Sequence, residues 1–189
     1  MIEKLFISKV RCKILDIFLT QDNAQYHVRA LVRLLDEEIN AIRRELKNLS
    51  EVGVLTSESK GNRVVYSVNE ECPIINELRS LMYKNKDKSI SLVEIVNHNG
   101  KTDLLFVSKQ FFADQAGEDV DIVVVGEMDV NSLSKELTAY EKISERQYKV
   151  AVYSNQDFQF NKKNREPFLL NALSSDKILL IGNYLDLYN

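Results

Sequence analysis

The sequence predicts an α+β chain of two domains. The first is three helices followed by a β-hairpin; the second is an α/β domain with a mixed sheet. Three observations predict this. Ile39, Ile42, Leu46 and Leu49 fall at i, i+3, i+7 and i+10, one stripe of an amphipathic helix, and two strand-like runs follow it on either side of Gly61-Asn62. Further on, DVDIVVVGE at 119–127 is a continuous β-branched run, the pattern of a strand covered on both faces. Charge also divides the chain: residues 1–88 hold 15 Lys and Arg against 13 Asp and Glu, and residues 89–189 hold 10 against 15. Such asymmetry between halves points to two domains with different tasks.

In chain order, residues 4–19 predict a helix with Leu5, Val10, Ile14, Ile17 and Phe18 apolar, and TQDNAQ at 20–25 a polar loop. A short helix is expected from about His27 to Leu35, burying Val28, Leu31, Val32 and Leu35. The next helix covers 38–52, with the acidic Asp36, Glu37 and Glu38 favourable near its start through the helix dipole and Gly53 as its C′ glycine. Strands follow at about 54–58 and 63–68, then a helix at 73–84 with Ile74, Leu78, Leu81 and Met82 apolar. The polar run YKNKDKS at 83–89 marks the boundary between a domain of residues 1–86 and a connecting segment, 87–99, with a short helix at about 90–97. Residues 100–189 form the second domain: strands at 102–108, 119–127, 148–154 and 177–183, a helix at 130–143, one or two helices between NQDFQF and REPFLLNALSSD, and a loop or irregular helix at 109–118. Alternating strands and helices of this kind give an α/β layer structure. The LDLY tail is either a strand end or an exposed apolar end used in association.

The helix at 38–52 carries the main functional signal. Asn40, Arg43, Arg44 and Lys47 lie away from its apolar stripe. Arginine and lysine suit phosphates and guanine edges, and asparagine suits adenine edges. Any solvated helix can carry charge on its outer face. The order of elements is more specific: helix, helix, helix, then a hairpin with Lys60, Asn62 and Arg63 at its tip is what a winged helix-turn-helix presents to DNA. Arg29, on the preceding helix, is expected to touch the DNA backbone.

In the second half, Asp119 and Asp121 are two residues apart, so on a strand they share a face. A Mg²⁺ ion bridging them to a nucleotide would use that geometry; polar residues at a strand entrance also commonly just meet water. Other candidates are modest. His27, beside the start of the second helix, is placed for a phosphate contact but reads rather as surface or partly packed; His98, in the HNGK turn, reads as solvated, Cys12 as core, and Tyr148 and Tyr153 as packing on a strand. Two distant cysteines, Cys12 and Cys72, make neither a zinc site nor a disulfide framework.

Residues 3–86 resemble a winged helix domain of the bacterial transcriptional regulator type, through AIRREL at 41–46, VGVL at 52–55 and the wing KGNRVVYSVN. Residues 100–183 resemble the minimal nucleotidyltransferase domain, through LLFVS, DVDIVVVGE, VAVYS, DF, PFLLNAL and KILLIG in that family's order. Together they look like regulators in which a winged helix precedes a nucleotidyltransferase-like domain. The resemblance implies Asp119 and Asp121 as metal ligands and Ser108 as the nucleotide-side residue. The departures are equally specific. Active members have Gly-Ser after the first strand, where backbone must approach phosphate closely; here Val107 and Ser108 stand there. Phe111 and Phe112 replace the family's Arg-Gly, and KVAVYS lacks the third carboxylate. The resemblance therefore implies a degenerate nucleotidyltransferase, a pseudoenzyme serving assembly, ligand or partner binding.

The expected function is a cytoplasmic, sequence-specific transcriptional regulator that binds double-stranded DNA as a homodimer. No cofactor is expected, with Mg and nucleotide only if the second domain is active, and a nucleotide or protein partner there is possible. Two alternatives stay open: a Mg-dependent nucleotidyltransferase targeted by its winged helix, and a winged-helix protein-interaction module, which the acidic 36–38 run would suit. A hydrophobic content of 44% supports a packed core, and no apolar run reaches the roughly 20 residues of a membrane span. The charges interrupting MIEKLFISKVRCKILDIFLT argue for an amphipathic helix over a signal peptide.

Overall fold

The computed structural model describes residues 6–113 and 120–188. Its fold is mixed α+β, with nine α-helices and two sheets among the described residues, the second sheet mixed. The chain divides into two compact units, Met1–Asn85 and Lys86–Asn189.

Unit 1 begins with α1 (Lys9–Thr20), whose N-cap is Ser8, its hydroxyl accepting the Arg11 N–H. That cap starts the helix later than periodicity suggests: residues 6–8 are not helical, and Lys4 and Leu5 lie outside the described residues. A three-residue strand, β1 (Gln25–His27), leads directly into α2 (Val28–Leu35) and then α3 (Ile39–Glu51). Asp36, in the left-handed region at φ 49°, turns the chain between the two helices. Gly53, at φ 78°, lets the chain leave α3 at the expected place. The hairpin is β2 (Leu55–Lys60) and β3 (Arg63–Val68), and β1 adds to it antiparallel, giving the order β1-β3-β2. α4 (Ile75–Lys84) closes the unit. The core gathers Ile14, Leu15 and Phe18 of α1, Leu31 of α2, Ile42 and Leu46 of α3 and Met82 of α4, all under 4% exposed. Cys12 and Cys72 are both buried there and form no disulfide among the described residues.

Unit 2 opens with α5 (Asp87–His98), which buries Leu92 and Val96 and packs on β4 (Gly100–Ser108). A short 3₁₀ turn, Lys109–Phe112, follows; residues 114–119, including Asp119, lie outside the described residues. Then come β5 (Ile122–Met128), α6 (Val130–Ser144), β6 (Val150–Tyr153), α7 (Asn155–Lys163), α8 (Pro167–Ser174), β7 (Lys177–Ile181) and α9 (Tyr184–Tyr188). The sheet order is β6-β5-β4-β7, with β5–β6 parallel and the other pairs antiparallel. β5 is central, and Ile122 to Val125 are all buried, as the β-branched run predicts. Leu104, Phe106, Val123 and Val125 meet Phe158 of α7 and Leu169 of α8 on one face. Leu105, Val107, Ile122 and Val124, on the other, are equally buried. Gly126 has a structural reason: a Cβ there would stand 2.2 Å from the Lys101 carbonyl oxygen on the neighbouring strand.

Candidate nucleic-acid interface

α3 is positioned from beneath. Ile42, Leu46 and Leu49 are buried. Glu45, 3% exposed, accepts a hydrogen bond from Arg11 Nε at 2.8 Å. Burial alone would raise the Glu45 pKa. Hydrogen bonds from Ser8, Arg11 and Asn48, with the Arg11 charge, outweigh that and hold the carboxyl below its ordinary value. With these residues fixed to the core, Asn40, Arg43, Arg44 and Lys47 emerge exposed within about 100° of arc.

The acidic run ahead of α3 has local work. Glu38 caps the helix, its side chain accepting the Asn40 and Ala41 N–H groups at 2.7 and 3.3 Å. Glu37 pairs with Lys13 of α1. Neither carboxylate is left as a bare charge beside the basic face.

A groove of about 940 Å³ lies between α2, the start of α3 and the outer side of the hairpin. Its apolar lining is Val28, Val32, Ile39, Val64 and Tyr66. Its polar lining is His27, Arg29, Arg33, Arg43, Asn62 and Arg63. None of the lining residues is acidic, and among the described residues no ion pair involves Arg29, Arg33, Arg43 or Arg63. Several other cations of this unit differ: Arg11 and Lys13 pair with Glu45 and Glu37, Arg79 with Glu70, Lys47 with Glu51 at 3.7 Å and Lys60 with Glu58 at 3.3 Å.

The structure thus brings together four of the sequence-derived residues, Arg29, Arg43, Asn62 and Arg63, in one groove. Asn40, Arg44 and Lys47 stay on the exposed face of α3 outside its lining, Arg44 lying 3.7 Å from Glu45. Lys60 points elsewhere, to Glu58 and to Gln25 Oε1 at 3.3 Å. One groove residue, Arg33, escaped sequence reasoning, and a second, His27, was read there mainly as surface or partly packed. Arg33 is four residues beyond Arg29, hence one helical turn along α2, and that spacing could have revealed it. His27 is the N-cap of α2, its Nδ1 accepting the Ala30 N–H at 3.0 Å.

In unit 2, Asp121 is 1% exposed and both its oxygens are occupied. Oδ1 accepts from Arg146 Nη2, and Oδ2 accepts the Lys149 backbone N–H at 3.0 Å. Arg146 also donates to the Gln110 carbonyl and, at 2.6 Å, to that of Ala113, and its guanidinium sits 5.0 Å from the Tyr148 ring centre. The cation that Asp121 holds is therefore a buried guanidinium. Ser108 is 6% exposed, and its hydroxyl has no hydrogen-bond partner among the described residues. Phe111 is fully buried, packed edge-on to Phe112 and tilted against Tyr148. Among the described residues, no three His, Cys, Asp or Glu side chains gather where they could hold a metal, and no helix is long and apolar enough to cross a membrane.

No protein-family model matches the chain. It is similar to a Caenorhabditis elegans protein named nuclear hormone receptor family member nhr-69, with 34% identity over 113 residues. The match covers 56% of this chain and 30% of the nematode protein, so the chain spans less than a third of that relative's length.

Proposed function

We propose that unit 1 is a winged helix-turn-helix that binds double-stranded DNA, with α3 in the major groove and the β2–β3 hairpin as the wing. The protein would act as a sequence-specific transcriptional regulator. The observation that carries this reading is the groove with four arginines, no carboxylate in its lining and no ion pair to any of the four among the described residues. Four like charges around one concavity gather small counterions, and a phosphodiester backbone gains by displacing them at regular spacing. The exposed Asn40, Arg43 and Arg44 on the adjoining face of α3 support base reading, since amide and guanidinium groups match adenine and guanine edges. A homodimer follows as part of the proposal, because two half-sites supply affinity that one small wing does not.

For unit 2 the proposal is a nucleotidyltransferase-like domain used for assembly or partner binding. What supports its being catalytically idle is the occupied state of Asp121, whose two oxygens are already taken by Arg146 and the Lys149 backbone N–H.

The experiment is selection of bound duplexes from a random library at two salt concentrations. Enrichment of one motif, with a palindrome for the dimer, is the expected result. Binding without enrichment that vanishes at moderate salt would transfer the groove to an acidic protein partner.

A further inference from the structure

We infer that His27 and Arg63 together form a seat for one backbone phosphodiester of the duplex, an inference that rests on the DNA-binding reading of unit 1. The argument begins with a backbone amide. The Ala30 N–H can only donate, and it donates to His27 Nδ1 at 3.0 Å. Nδ1 therefore carries no proton, and the ring's one N–H is at Nε2. That Nε2 stands 3.3 Å from Nη1 of Arg63. A guanidinium has five N–H groups and no acceptor. Two donors thus face each other across 3.3 Å, and neither can satisfy the other.

The sheet brings the two residues side by side. His27 pairs with Val65 across β1 and β3, and Arg63 is two residues from Val65, on the same side of β3. The cap on α2 fixes the ring from the other end. The ring cannot turn away without losing the cap, whereas the exposed Arg63 guanidinium can adjust on its own side-chain bonds to meet a ligand. An oxygen placed between them resolves the conflict, because it accepts from both. A negative oxygen does so best, since hydrogen bonds to a charged acceptor are shorter and about twice as strong as neutral ones. No acidic residue lines the groove to provide it, and Arg29 and Arg33 line the same groove and favour an anion there. A phosphodiester has two non-bridging oxygens and one negative charge, and it lies here at the start of an eight-residue helix, α2, whose N-terminus adds to the attraction.

The test uses the full chain and a duplex recovered by the selection above. His27→Asn keeps a side-chain oxygen to cap α2, since asparagine is among the preferred caps, and removes the Nε2–H. The expected result is an unchanged thermal midpoint with affinity lowered about tenfold for every duplex alike, the value of one charge-assisted hydrogen bond. Arg63→Gln should lower affinity similarly and also reduce the salt slope by about 0.9. The double variant should lose less than the two singles combined, because each alone empties the same seat. Independently of any variant's folding, neutral methylphosphonate can replace the backbone phosphates one at a time. One position should weaken binding of the parent chain and leave His27→Asn indifferent. If His27→Asn binds as the parent does while Arg43→Ala is impaired, or if no such backbone position exists, the seat is wrong and the DNA reading stands. If the parent binds no duplex even at low salt, both fail together.

Discussion

Glu45 and Arg11 tie the proposed recognition helix to α1 through a hydrogen-bonded ion pair, Nε to Oε2 at 2.8 Å, with the carboxylate buried and the guanidinium one-third exposed. The pair lies on the flank of α3 that faces away from Asn40, Arg43 and Lys47. Together with buried Ile42, Leu46 and Leu49 it sets the rotation of the helix about its own axis, which decides which side chains meet a ligand.

Removing that tie should cost stability and precision. Glu45→Ala is expected to destabilise unit 1 by about 2 kcal/mol, since a buried charge-assisted hydrogen bond is lost and Arg11 is left half-solvated. The effect of pH has a definite sign. The folded carboxyl is held below its ordinary value, so its contribution is complete above that value and disappears as pH falls through the depressed one. Urea unfolding from neutral pH down into the acid range should show a steeper stability loss for the parent than for Glu45→Gln. Parallel curves would show that Glu45 does not couple folding to protons.

The groove separates two kinds of basic residue. Arg33→Ala should weaken binding to all duplexes and lower the salt slope by about 0.9, because Arg33 pairs with no carboxylate among the described residues. Lys60→Ala, whose ammonium is already paired with Glu58, should change the slope by less. Arg43→Ala should cost about 1–3 kcal/mol on the preferred duplex and relax preference at one base position. Binding measured across a salt series for the three variants distinguishes these; equal slopes for Arg33→Ala and Lys60→Ala would contradict the assignment.

Asp121 is predicted to be a stability residue. Asp121→Asn leaves the Arg146 guanidinium buried without its counter-charge, a change expected to cost about 3–5 kcal/mol. Asp121→Asn combined with Arg146→Met should recover a substantial part, as no lone buried charge remains. Urea denaturation of the three proteins measures this. An Asp121→Asn protein as stable as the parent would mean that the pair contributes nothing.

Tyr140 offers a spectroscopic check on unit 2. Burial first, then the neighbouring Tyr148, push its phenol up to about 12. The rings of Tyr140 and Tyr148 stack with centroids 5.8 Å apart. Because the folded value is raised, the stabilisation is intact below the ordinary phenol value and is lost as pH climbs through about 12. An ultraviolet titration of phenolate should lose its latest component in Tyr140→Phe. Loss of an early component would contradict the buried assignment.

Much of this was readable in the chain, for physical reasons that differ by element. α3 is visible because its stripe has the helical period and ends at Gly53; β5 is visible because four successive β-branched residues leave no exposed face. β1 is not, since Gln25–His27 is too short to show alternation and exists only through pairing with Val65–Ser67. Ser8 hid the true start of α1, because a single hydroxyl on one backbone N–H outweighs an apolar pattern that continues before it. Arg146 lies 25 residues from Asp121 in a segment without periodicity, so the partner that fills the carboxylate's coordination was invisible until the strand entrance and the loop before β6 were brought together. His27 was noticed for its position beside α2, but its tautomer depends on the Ala30 amide, a three-dimensional fact.

The hairpin is unevenly supported along its length. From Val65 to Ser67, β3 is flanked on both sides, by β1 and by β2. Beyond Val65 only the Ser59–Val64 and Lys60–Arg63 pairs remain before the turn. A sheet of three strands resists bending far better than a ribbon of two, which is marginal by itself. The stiffness therefore drops abruptly at one residue, and the tip bearing Asn62 and Arg63 works as a short spring clamped at its root. Such a spring can follow a target surface whose width varies from site to site, while α2 and α3, on the rigid side of the clamp, keep their footing.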